Sequence, residues 1–90
     1  MVRRYCEFSK EFERIFEKLQ KKNKKQSDII INKIREIIQN PEHYKPLSHT
    51  LKFHRRVHID KSFVLVFKIE GSKLVIMDYD HHDNIYKKYR

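Results

Sequence analysis

The stretch Phe63-Val64-Leu65-Val66-Phe67-Lys68-Ile69-Glu70-Gly71-Ser72-Lys73-Leu74-Val75-Ile76-Met77-Asp78-Tyr79 decides the fold. Two runs dense in Val, Ile, Leu and Phe flank Glu70-Gly71-Ser72, and a glycine between two such runs marks a tight turn. The spacing predicts one strand over about Phe63 to Glu70 and another over about Lys73 to Tyr79. A third strand is expected just upstream, over about residues 50 to 59. There Leu51, Phe53, Val57 and Ile59 alternate with Lys52, His54, Arg56 and His58. Side chains two apart on a strand point the same way, roughly 6.5 Å from one another. One face of that strand therefore carries two fixed cations and two imidazoles that exchange protons near neutral pH. Arg55 is awkward, because strict alternation puts it on the apolar row. Two solutions are open: a bulge that rotates part of the strand, or a long stem that carries the charge outward.

Working outward, the first half of the chain reads as helices. Ser9 is suited to cap a helix whose first turn holds Glu11 and Glu13, and Phe12, Ile15, Phe16 and Leu19 mark its apolar face. Lys21, Lys22, Lys24 and Lys25 around Asn23 close it in a solvated turn. Ser27 or Asp28 is expected to cap a second helix with Ile30, Ile31, Ile34, Ile37 and Ile38 as its stripe, stopped at Asn40-Pro41. Val2 to Phe8 reads as a short opening strand. The order is strand, antiparallel helix pair, then a three-stranded antiparallel meander. The expected fold is α+β, with the helices on one face of a small sheet. The other face is then free to be polar, and the row from Lys52 to His58 belongs there.

Ninety residues make a single domain, residues 1–90, near the lower end of what folds without staples. The lone Cys6 has no internal disulfide partner and no Cys or His cluster has zinc-finger spacing, so a reducing, cytoplasmic setting is expected. No apolar run approaches the roughly 20 residues of a membrane span, and no signal-peptide apolar segment opens the chain. Lys and Arg number 21 against 12 Asp and Glu, a formal charge of +9. That balance suits a polyanionic partner, a nucleic acid or an acidic protein. The ordered basic row favours nucleic acid.

RNA is cut without a metal when its own 2′-hydroxyl becomes the nucleophile. A base takes the 2′ proton, an acid protonates the departing 5′ oxygen, and cations offset charge growing on the phosphoryl oxygens. Histidine suits either proton role, and Arg and Lys suit the phosphate. His58 at the end of one strand and His81-His82 just beyond another are expected to converge at one end of the sheet. His81-His82 between Asp80 and Asp83 also suggests a metal. With no third or fourth ligand at usable spacing the pattern is weak, and no metal or other cofactor is expected. Tyr79, Tyr86 and Tyr89 either stack on bases or pack the C-terminal tail onto the sheet.

The element order and several local patterns resemble the RelE/ParE superfamily of bacterial and archaeal toxins. The likeness runs from about Tyr5 to Tyr86 and is carried by Leu47, His54-Arg55, Phe63 to Ile69, and His81-His82-Asp83-Asn84-Ile85-Tyr86. Arg55-Arg56-Val57-His58-Ile59-Asp60 followed by Phe63 is similar to the histidine-using YafQ branch. The resemblance implies a toxin of a type II toxin–antitoxin system: a metal-independent endoribonuclease that cleaves mRNA in the ribosomal A site and is silenced by a RelB-like antitoxin. It implies His58 and His82 as catalytic residues. Tyr86 matches the closing aromatic of the pattern and Arg55 the basic member of an aromatic-Arg pair. Substrate binding is then expected of Lys52, His54, Arg55, Arg56 and Tyr86. Val57 and Val64 stand where many RelE-type members carry basic residues, and Ser62 where the YafQ branch has an acid, which favours a histidine-based over an arginine-based mechanism. The alternative is a ParE-like toxin that blocks DNA gyrase and cuts no RNA. A plain RNA-binding module is a third possibility.

Overall fold

The computed structural model describes residues 5–47 and 54–89. In chain order these form β1 (Tyr5–Phe8), α1 (Lys10–Lys22), α2 (Lys24–Gln39), a 3-10 turn (Pro41–His43), β2 (His54–Ile59), β3 (Phe63–Glu70), β4 (Lys73–His81) and α3 (His82–Lys88). The four strands make one sheet in the order β1-β4-β3-β2, with β1 parallel to β4 and the other pairs antiparallel. The expected α+β architecture holds. The opening strand expected over Val2 to Phe8 is present among the described residues as β1, its parallel pairing with β4 had not been assigned, and α3 was not anticipated.

Local chemistry sets the helix ends. The Phe12 amide donates to Ser9 Oγ at 3.1 Å, and Ser9 Oγ donates to the Met77 carbonyl at 2.7 Å, so one hydroxyl both starts α1 and fixes it to β4. Asn23 serves both helices. Its amide donates to the Leu19 carbonyl at 2.7 Å, and its Oδ1 accepts from the Gln26 amide at 3.1 Å. The second helix thus begins at Lys24, one turn before the expected cap at Ser27 or Asp28. Ser27 is instead buried inside it, with Oγ donating back to the Lys24 carbonyl at 2.8 Å.

The main core lies between the helix pair and the sheet. Phe12, Phe16, Ile30, Ile34 and Ile37 meet Val57, Ile59, Leu65, Phe67, Leu74, Ile76 and Tyr79. Phe8 closes one end, its ring edge-on to Phe12 with centroids 4.8 Å apart. The opposite face is not left bare, as the sequence had suggested. Val64 and Val66 project there from the central strand β3, and such side chains need cover; Ile85 of α3 and Leu47 supply it.

One irregularity decides which side chains reach that second face. Val66 pairs with Asp78 but Phe67 pairs with Ile76, leaving Met77 as an extra residue in β4. Without this bulge, strict alternation from Leu74 and Ile76 would drive Asp78 into the main core. With it, Tyr79 turns inward, while Asp78 and Asp80 turn to the α3 side.

Candidate functional site

The register of β2 on β3 runs unbroken from His54↔Lys68 to Ile59↔Phe63. Paired residues share a face, so His54, Arg56 and His58 stand on the α3 side with Lys68, Val66 and Val64. Arg55, Val57 and Ile59 face the helix pair. The two solutions offered for Arg55 are thereby resolved. There is no bulge in the described part of β2, and Arg55 reaches out of the core row to donate from Nη1 to the Tyr44 carbonyl at 2.6 Å and the Glu42 carbonyl at 3.3 Å. Its guanidinium ties the 3-10 turn to the sheet, on the face opposite the basic row. Lys52 lies outside the described residues.

Two cross-strand rows form the floor and rims of the candidate site: His58–Val64–Asp80 and Arg56–Val66–Asp78. Arg56 is half-buried; its Nε is buried and has no hydrogen-bond partner among the described residues. His58 is exposed. His54 packs its ring 5.7 Å from that of Tyr89. Partial burial, with the Lys68 charge adding to it, holds the His54 imidazole below its ordinary value.

α3 lies over Val64 and Val66 through Ile85, and a buried carboxylate fastens it. Asp78 is 1% exposed; its Oδ2 accepts from Lys88 Nζ at 2.7 Å and from Tyr89 Oη at 3.2 Å, and its Oδ1 accepts from the Tyr79 amide at 2.9 Å. This pairing raises the Lys88 ammonium above its ordinary value, with the hydrogen bond to Asp78 the largest cause. Desolvation, joined by Asp78, pushes the Tyr89 phenol up as well. Asn84 Nδ2 donates to Asp80 Oδ1 at 3.3 Å, and Asp80 Oδ1 also accepts the His81 amide at 2.7 Å. Asn84 and Lys88 thus mark the flank of α3 that faces β4. At about 100° per residue, His82 and Tyr86 fall on the other flank, while Tyr89, just past the helix end, reaches both Asp78 on β4 and the His54 ring on β2. His54, Arg56 and His58 of β2 and the His82–Tyr86 flank of α3 thus border the same face of the sheet.

His58 and His82 do come to the same end of the sheet. Ile59, Phe63 and His81 stand abreast across β2, β3 and β4, and the His82 amide donates to the Ser62 carbonyl at 2.8 Å, which ties the start of α3 to the β2–β3 turn. Strand spacing puts the two backbones roughly 12 Å apart. The rings do not touch. His82 stacks on His81 with centroids 4.7 Å apart, and His81 meets Phe63 edge-on at 5.9 Å. Tyr86 is 38% exposed and packs against no other ring among the described residues.

Asp78 and Lys88, which fasten α3 beside these residues, were not singled out from sequence, whereas Tyr89 had been weighed for stacking or tail packing and Asp80 only as a neighbour of the His pair. A signal for the carboxylates existed: carried past Tyr79 to His81, the last strand shows polar residues at alternate positions 78 and 80. The sequence had also counted no usable third ligand beside His81-His82. In the structure the Asp83 carboxylate lies beside the pair, with Oδ2 3.8 Å from His81 Nδ1 and Oδ1 3.0 Å from His82 Nδ1.

The comparisons with known proteins fit this architecture. Residues 6–86 match the family model described as the ParE toxin of the type II toxin–antitoxin system parDE. The chain belongs to that toxin family, within the RelE/ParE superfamily. A Methanocaldococcus jannaschii protein named as the toxin RelE4 is 58% identical over 78 residues, covering 84% of this chain and 83% of that one. Among solved structures, the YoeB/ParE toxin from Agrobacterium tumefaciens superimposes with a TM-score of 0.78 at 17% identity, covering 87% of this chain and 98% of that one. The toxin fold in the E. coli DinJ–YafQ complex gives a TM-score of 0.75 at 20% identity, covering 93% and 99%. At those identities the structures share the fold. No helix among the described residues is long and apolar enough to cross a membrane.

Proposed function

We propose that this toxin cleaves mRNA on the sheet face bordered by β2 and α3, without a metal, by activating the 2′-hydroxyl of its substrate. The observation that carries the reading is the shared face of His54, Arg56 and His58, turned toward the α3 flank that bears His82 and Tyr86. Arg56 offers a guanidinium to a phosphate from the same face as His58, and Lys52 supplies a second cation on the same sequence row. His58 and His82 share the two proton transfers, and a phosphodiester bound on that face stands between them. Tyr86 stacks on or orients a neighbouring nucleotide. Arg55 acts indirectly, by holding the 3-10 turn and the segment that follows it beside β2.

The partner is an acidic antitoxin. A chain of +9 with a sheet face bordered by Arg and His suits a segment of negative charge that orders as it binds. The DinJ–YafQ complex is a case in which this fold is held by another protein.

The test is to give the purified protein translating ribosomes, with and without EDTA. mRNA fragments in both arms are expected, and His58→Ala and His82→Ala should each slow cleavage roughly 10²–10⁴-fold. A binding toxin that stops gyrase is the second reading, favoured by the ParE description of the matching family model. Gyrase inhibition with intact mRNA would establish it in place of the first.

A further inference from the structure

We infer that His81, His82 and Asp83 form a binding site for one divalent cation of the zinc class. These residues offer two imidazole nitrogens and a carboxylate oxygen, all within 4.8 Å of one another. His82 Nδ1 lies 3.0 Å from Asp83 Oδ1 and His81 Nδ1 lies 3.8 Å from Asp83 Oδ2, each close to the ligand–ligand edge of a tetrahedral zinc site. That edge is roughly 3.3 Å for bonds of about 2.0 Å. Both imidazoles turn Nδ1 toward the same carboxylate, and all three side chains are partly open to solvent, with relative exposures of 41%, 41% and 67%. Rotation of the rings closes the remaining gap. The contact that must yield is a long one, from the Asp83 amide to His81 Nδ1 at 3.3 Å.

Donor chemistry selects the metal class. Two imidazoles with one carboxylate suit zinc and its first-row neighbours, whereas calcium and magnesium prefer oxygen alone. Three protein ligands leave a fourth position for water. The local field helps. In a chain of net positive charge, Asp80 precedes the site directly, and Asp60 and Asp80 both act on Tyr79, whose ring stacks on Phe63 beside His81. α3 has only seven residues, so the opposing dipole at its start is small.

Occupancy engages His82 and so withdraws it from proton transfer, which makes the cation an inhibitor of cleavage. That consequence rests on the function proposed above, whereas binding does not.

The experiment is a calorimetric titration of the purified protein with zinc chloride, in wild type, His81→Asn and Asp83→Asn, together with imidazole ¹⁵N spectra. Expected are one equivalent bound, shifts at His81 and His82, and a loss of affinity of more than about tenfold in each variant. Equal affinity in folded variants, shifts confined to other histidines, or no binding by the wild type would overturn the site. If a variant fails to fold by circular dichroism, the wild-type nitrogen shifts decide alone. Zinc that binds at His81 and His82 but leaves cleavage unchanged would keep the site and remove the proton-transfer role of His82.

Discussion

On the helix-pair side of the sheet, Phe12, Phe16 and the α2 isoleucines interlock with side chains from β2, β3 and β4, and the buried Tyr79 phenol is satisfied by Gln26 Nε2 at 2.5 Å. On the α3 side a much smaller apolar cluster, Leu47, Val64, Val66 and Ile85, shares its surface with a sealed carboxylate and a row of imidazole and guanidinium groups. The first face holds the chain together. The second is fastened by a single helix and a few polar contacts. Apolar packing is thus concentrated on one side of the sheet and the imidazole and guanidinium row on the other.

The sharpest way to break this contrast is Phe67→Ala. The side chain is fully buried on the helix-pair side, and its loss should cost about 3–5 kcal/mol, read as a lower urea midpoint for the whole molecule. Ile85→Ala, equally buried on the other face, should cost about 2–4 kcal/mol. Faster amide exchange should then be concentrated in α3 rather than spread over the sheet. Uniform exchange in both variants would erase the distinction between the faces.

A smaller effect sharpens the comparison through pH. Burial, then the Lys68 charge, holds the folded His54 below its ordinary value of 6.5. The unfolded chain therefore takes up this proton at higher pH than the folded one. Stability should fall as pH drops below about 6.5 and level off beneath the folded value. His54→Gln should reduce the difference in melting temperature between about pH 7.5 and pH 5.5. An unchanged difference would mean that burial does not act on His54 in the folded chain.

Much of the fold was legible because β3 and the Ser9 cap state their structure locally: a dense apolar run closed by a glycine turn, and a hydroxyl three residues before a buried Phe. Gly71 sits at a φ of +61°, a conformation the turn requires and few other residues accept. The start of α2 was misjudged because Ser27 has the chemistry of a cap but is spent on a bond within its own helix. α3 escaped notice since seven residues carry a single fully buried apolar side chain, Ile85, and its first turn is capped by a histidine. In the candidate site, alternation alone put His54, Arg56 and His58 on one face. It did not reveal Asp78, because only the bulge at Met77, set by tertiary packing, carries that carboxylate to the α3 side.

Residues 45 to 47 run alongside β2, with the Arg56 amide donating to the Lys45 carbonyl at 3.1 Å and the Leu47 amide to the His54 carbonyl at 2.8 Å. That short annex occupies the outer rim of β2 as far as Arg56. An incoming strand is left two berths among the described residues: the four-residue rim of β1, remote from the Arg56–His58 row, and the tip of β2 at His58, directly against it. A binding protein that zips onto the first would leave the row open, and one that uses the second would cover it in the same motion.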